Sequence, residues 1–142
     1  MKKVRDVMNP FPIIVDEETS LVEVFKIVEE KHLSHLLIVS GTKLVGIISK
    51  EDLLHKMLDL AKDTTGKTYN EIILETTPVH KIMTRKLHTI HPEDILDDAI
   101  RSMLDKQVHC LPVINQKNEP IGLLNPADVL KAYIAGYENV IA

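Results

Sequence analysis

Gly46-Ile47-Ile48-Ser49-Lys50-Glu51-Asp52 returns further along the chain as Gly122-Leu123-Leu124-Asn125-Pro126-Ala127-Asp128. The order is the same in both: a glycine, two apolar residues, a short polar side chain, two variable positions and an aspartate. Each copy ends an apolar run of strand character and opens a run with helical spacing. A strand that ends at a helix N-terminus, with a hydroxyl or amide and a carboxylate beside it, suits a sugar phosphate, because unpaired N–H groups and the helix dipole favour an anion there. On one copy alone Ser49-x-x-Asp52 and Asn125-x-x-Asp128 would read as helix caps. Two copies in one context favour a ligand site.

Working outward, the whole chain repeats. Val4-Arg5-Asp6-Val7-Met8 corresponds to Val79-His80-Lys81-Ile82-Met83. The short turn Ser40-Gly41-Thr42-Lys43 becomes the longer Asn115-Gln116-Lys117-Asn118-Glu119, the kind of insertion a hairpin tolerates. In the first copy Pro10 and Pro12 disfavour helix, and the β-branched run Ile13-Ile14-Val15 predicts a strand. Ser20 and Glu23 form a capping-box pattern ahead of Leu21, Val24, Phe25 and Val28, which recur at helical spacing. Leu36-Leu37-Ile38-Val39 and Leu44 to Ile48 make a hairpin, and Leu53, Leu54, Met57 and Leu58 stripe a second helix.

The second copy predicts a strand at Leu87 to Ile90, a helix capped by Asp94, a hairpin of Leu111–Ile114 with Ile121–Leu124, and a last helix opened by Asn125 and Pro126. These divisions give a first repeat at residues 1–60, a polar linker at 61–77 with a helical turn or two at Tyr69 to Leu74, and a second repeat at 78–142. The fold class is mixed α+β: two tandem β-α-β-β-α repeats related by pseudo-twofold symmetry.

Composition narrows the function. With 142 residues, 44% hydrophobic and 27% charged, the chain can bury a sizeable core. A net charge of −4 carries no general attraction to nucleic acid or anionic lipid. The single cysteine, Cys110, excludes an internal disulfide and four-thiolate zinc sites. The N-terminus lacks the apolar segment of a signal peptide, and no run approaches the ~20 apolar residues of a membrane span, so a cytoplasmic address is expected. None of the seven histidines is spaced as a metal-ligand pair on a helix, so no metal is expected. Cys110 and its neighbour His109 point to opposite faces of a strand, which argues against a catalytic pair. No catalytic residue and no catalytic cofactor is expected.

The tandem order, together with Val7-Met8, Ile82-Met83-Thr84 and His109-Cys110-Leu111-Pro112-Val113-Ile114, resembles the CBS (cystathionine β-synthase) domain pair, also called a Bateman module. The resemblance implies a regulatory module for adenosine-containing ligands such as AMP, ADP, ATP or S-adenosylmethionine, one site per repeat in the cleft between the two. It also implies a homodimer. Carried over by position, Asp52 and Asp128 hold ribose hydroxyls and Ser49 approaches phosphate. A carboxylate accepts both donors of a ribose diol, which gives this a physical basis. Asn125 takes the equivalent place in the second repeat. His35 and His109 occupy the positions of the family's phosphate-reaching His-Arg pair. The base would lie against Asn9, Pro12 and Ile13 in one site, and Thr84, Leu87 and His88 in the other.

Two departures, Asn125-Pro126 in place of Ser/Thr with a following N–H and Cys110 in place of Arg, imply a second site weaker for phosphate. The reading is thus a stand-alone module that senses an adenine nucleotide and signals to another protein, unnamed by the sequence. The alternative is a structural or dimerisation module without a small-molecule ligand.

Overall fold

The computed structural model describes residues 2–62 and 67–141. The elements run β1 (Ile14–Asp16), α1 (Leu21–Lys31), β2 (His35–Ser40), β3 (Lys43–Ser49), α2 (Lys50–Lys62), α3 (Lys67–Thr76), α4 (Leu96–Lys106), β4 (Leu111–Ile114), β5 (Pro120–Leu124) and α5 (Pro126–Ile141), with 3-10 turns at Val4–Asp6 and Val79–Lys81. Part of the polar linker, residues 63–66, lies outside the described residues, and its later half is the helix α3.

The chain forms two compact units that do not follow the order of the repeats. One is Ile13–Leu87; the other is Met1–Pro12 together with His88–Ala142. Each lead-in therefore belongs to the unit built around the other repeat's hairpin.

In the Ile13–Leu87 unit, β1 runs parallel to β2, and β2 is antiparallel to β3. Gly41 takes a φ of +65° in the two-residue turn between β2 and β3, a conformation glycine adopts without strain. Ser20 caps α1 by accepting the Glu23 N–H at 3.3 Å. The stripe Leu21, Val24 and Val28 is fully or almost fully buried, worth about 1.5–3 kcal/mol per side chain. It packs with Val15, Leu36, Ile38, Ile48 and Leu53, and the lead-in adds Val79 and Met83. In the other unit β4 and β5 form an antiparallel pair, and Leu96, Ala99, Met103, Leu111, Val113, Leu124 and Val129 pack with Val4 of the first lead-in.

Both lead-ins are attached in the same way. Thr77 O accepts the first N–H of α1 (Leu21) at 3.0 Å, and Lys2 O accepts the first N–H of α4 (Leu96) at 3.0 Å. At the other end Thr84 exchanges two backbone hydrogen bonds with Ile47, and Asn9 does so with Leu123. Between these points a methionine lies on a glycine. A Cβ on Gly46 would stand 2.3 Å from Met83 Sδ, and one on Gly122 would stand 2.6 Å from Met8 Sδ. The repeated glycine and the repeated methionine are thus two halves of one contact.

Two local expectations are corrected. Asp94 does not cap α4: the N-cap is Ile95, and the Asp94 carboxylate accepts the His91 N–H at 2.9 Å. The cap is instead supplied from a distance, by the Lys2 carbonyl. The expected strand at Leu87 to Ile90 reduces to a single parallel bridge, Ile90 with Val113. Pro92, whose nitrogen carries no hydrogen, follows closely and cannot extend a ladder.

Gly46→Ala should lower stability by about 1–3 kcal/mol in denaturant melts, because Met83 is almost fully buried and must be displaced. Met83→Ala alone should cost about 2–5 kcal/mol through the cavity it leaves. If the contact is as described, the double variant costs clearly less than the sum of the two.

Candidate functional site

Alternation along β2 and β3 decides which side chains meet. Leu36, Ile38 and Ile48 point into the core, so His35, Leu37, Ile47 and Ser49 lie on the opposite face of the sheet. His35 is directly across from Ser49, Leu37 from Ile47, and Thr84 from Ile47 on its other side. Directly opposite residues in an antiparallel pairing share a face, so His35, Ser49 and Thr84 gather there, all half-buried. Asp52 follows in the first turn of α2.

The helix N-terminus is partly committed. The Lys50 N–H donates to Ser34 O at 2.9 Å and the Asp52 N–H to Ser49 Oγ at 3.1 Å. Ser49 thus caps the helix, yet its hydroxyl keeps a proton to donate. The Asp52 carboxylate is exposed and, among the described residues, has no hydrogen-bond or ion-pair partner.

The other junction has the same plan with different occupants. Asn9, paired with Leu123, is carried beside Asn125 and Asp128. Asn9 Oδ1 accepts the Phe11 N–H at 3.0 Å, which turns the chain there. Asn125 and Asp128 form a reciprocal capping box: the Asp128 N–H donates to Asn125 Oδ1 at 2.9 Å, and the Asn125 N–H donates to Asp128 Oδ2 at 3.1 Å. One carboxylate oxygen of Asp128 is therefore engaged where that of Asp52 is free. Pro126 proves less consequential than its missing N–H suggests. The equivalent N–H, that of Lys50, is already taken by Ser34.

Cys110 is buried beside this junction. Burial, and secondarily the negative charge of Asp128, push its thiol from an ordinary 9.0 up to about 12. The remaining candidates are more scattered. His109 is exposed and lines an apolar groove of about 650 Å³ between α4 and α5. Ile13 packs partly into the core, and its carbonyl accepts the Leu37 N–H at 3.3 Å. Pro12, Leu87 and His88 are half-buried at the two places where the chain passes between units. Sequence reading missed Lys56, whose ammonium donates to the Ile82 carbonyl; its place four residues after Asp52 was the available signal. Among the described residues no group of three His, Cys, Asp or Glu side chains is placed to hold a metal ion, and no helix is long and apolar enough to cross a membrane.

A family model for the CBS domain matches residues 4–59 and 79–135. The chain belongs to the CBS domain family. Its fold matches the CBS domain pair of the protein MJ0100, solved in complex with 5′-methylthioadenosine and S-adenosyl-L-methionine, with a TM-score of 0.75 at 25% identity over 93% of this chain and 99% of that one. It also matches CBSX2 in complex with AMP, with a TM-score of 0.76 at 26% identity over 95% and 98% of the two chains. In sequence it is 26% identical to the uncharacterized protein MJ1426 of Methanocaldococcus jannaschii, over 92% of this chain and 90% of that protein. By contrast it spans only 23% of a homoserine O-acetyltransferase of Methanohalobium evestigatum, at 27% identity. The two matched segments occupy most of this chain.

The Cys110 pKa fixes the sign of a pH effect. An unfolded thiol ionises near 9.0 while the folded one stays protonated to about 12, so its contribution to stability is full below pH 9 and is lost as pH rises toward 12. Alkaline melts of Cys110→Ala should fall off less steeply over that window than those of the wild type. Iodoacetamide should label the folded protein slowly at pH 8 and the denatured protein rapidly.

Proposed function

We propose that this CBS pair is a non-catalytic regulatory module that binds an adenosine-containing ligand at its two strand-helix junctions and passes occupancy to a partner protein. The observation that carries the reading is Asp52, an exposed carboxylate without a partner among the described residues, one helical turn from Ser49, in a chain similar to pairs that hold S-adenosyl-L-methionine, 5′-methylthioadenosine and AMP. Asp52 takes the ribose hydroxyls, and Ser49 with His35 meets phosphate. Asn125 and Asp128 form the second site. Thr84 borders the base at the first site, and Asn9 does so at the second. Pro12, Ile13, Leu87 and His88 are the further candidates for the base, and His109 is the candidate for phosphate at the second site.

A ligand shifts the module between two arrangements only as far as it binds one better, so signalling to a partner requires a difference in affinity between them. An adenine nucleotide as ligand would make the module a sensor of cellular energy state, at work in the cytoplasm.

The two sites should fill in order. Asp128 must share an oxygen already accepting the Asn125 N–H, whereas Asp52 gives up nothing. Calorimetric titration with AMP should resolve a tighter and a weaker step. Asp52→Ala should remove the tighter step with little change in melting temperature, and Asp128→Ala should remove the weaker step while costing about 0.5–2 kcal/mol of stability through the lost cap. No heat and no melting shift at millimolar AMP, S-adenosylmethionine or 5′-methylthioadenosine would leave the structural module, the reading that the Asp128 capping box favours.

We also infer a homodimer. Leu104, Leu130, Tyr133 and Ile134 are each more than half exposed on α4 and α5, and Leu104 and Leu130 line the groove between these helices. A second copy covers them most economically, because the same apolar face is then removed from water twice. Sedimentation equilibrium should give a dimer for the wild type and a monomer for Leu130→Glu; a wild-type monomer at tens of micromolar would overturn the inference.

A further inference from the structure

Lys56 lies four residues beyond Asp52 on α2, so the two side chains share one stripe of the helix. Its stem is half-buried, and its ammonium donates to the main-chain carbonyl of Ile82. Among the described residues it has no other hydrogen-bond or ion-pair partner. Ordering a lysine tail gives up rotamer freedom, and a neutral carbonyl returns less than a carboxylate would. The consequence of the contact therefore lies in the segment to which that carbonyl belongs.

Ile82 closes the 3-10 turn at Val79–Lys81 and leads directly into Met83 and Thr84. Met83 sits on Gly46, and Thr84 pairs with Ile47, two residues before Ser49. Lys56 thus ties down the start of a three-residue stretch whose last member shares a sheet face with Ser49. In the second repeat the residue four beyond Asp128 is Ala132, whose side chain carries no donor for such a tie.

We propose that Lys56 is a positioning residue for the Ser49/Asp52 site: by holding the Ile82 carbonyl it fixes Thr84 beside Ser49 before ligand arrives, and so adds to the advantage that the unengaged Asp52 carboxylate gives this site over the one at Asn125 and Asp128. The proposal rests on the adenosine-binding reading above. Preorganisation of this kind strengthens binding by removing an ordering cost, without any new contact to the ligand.

The test uses the full chain carrying Asp128→Ala, in which the remaining binding reports the Ser49/Asp52 site, titrated with adenosine and with AMP. Lys56→Met should weaken both about tenfold. Equal loss is the signature of positioning, because adenosine has no phosphate for an ammonium to meet. Lys56→Arg, which also donates, should restore binding to within about twofold. In a chain carrying Asp52→Ala instead, Lys56→Met should leave the residual binding unchanged. Undiminished adenosine affinity in Lys56→Met, a loss confined to AMP, or failure of Lys56→Arg to rescue would each overturn the proposal while leaving the site itself standing. Should Lys56→Met not fold, Lys56→Leu, which likewise has no donor, is held to the same comparison. If the wild type binds neither adenosine nor AMP, the functional reading falls and this one falls with it.

Discussion

A methionine resting on a glycine holds each unit together. Gly46 and Gly122 leave room that the side chains of Met83 and Met8 fill, next to the residues that exchange two backbone hydrogen bonds with each lead-in. The same lead-in, a few residues earlier, supplies a carbonyl to the first N–H of a helix, Thr77 to α1 and Lys2 to α4. Burial of the methionine, pairing of the strand and capping of the helix are therefore one event. Loosening the strand pairing or the helix cap leaves a backbone donor or acceptor without its protein partner.

This arrangement decides how the candidate sites are assembled. The sequence repeats in order, but the lead-in of each repeat completes the unit of the other. Thr84, from the start of the second repeat, joins Ser49 and Asp52 from the end of the first; Asn9, from the start of the first, joins Asn125 and Asp128 from the end of the second. Each junction is thus a composite, made at the place where the chain's two halves exchange segments. A ligand held at the proposed site would touch both the lead-in and the following helix, the geometry a module needs if occupancy is to alter how its segments are held.

Much of this was legible in the residues. The duplicated glycine-to-aspartate stretch, the helical stripe at Leu21, Val24 and Val28, and the cap-and-proline pair Asn125-Pro126 each act over a few residues, where local periodicity and backbone chemistry are decisive. What escaped acts over long range. Asp94 has the chemistry of a cap but sits one residue too early, and the first N–H of α4 is satisfied by a carbonyl more than ninety residues away in sequence. The role of the repeated glycines stayed unread because their partners, Met83 and Met8, lie in the opposite repeat. Lys56 drew no reading, because the carbonyl it meets has no signature in sequence.

The inequality of the two junctions shows why composition alone misleads. Pro126 looks like the loss of a phosphate donor, but at the other junction that donor, the Lys50 N–H, is already spent on Ser34. The helix ends are therefore closer to equal in the N–H groups they offer. The difference lies in the acceptors: the Asp128 carboxylate is drawn onto its own backbone and lies near a buried thiol, while that of Asp52 stands in solvent with both oxygens open. A diol that approaches Asp52 replaces only water. One that approaches Asp128 must compete with an N–H already in place, and a hydrogen bond exchanged for another contributes little net free energy. The capping box that holds the start of α5 is thus the same interaction with which a sugar would compete under the proposed reading.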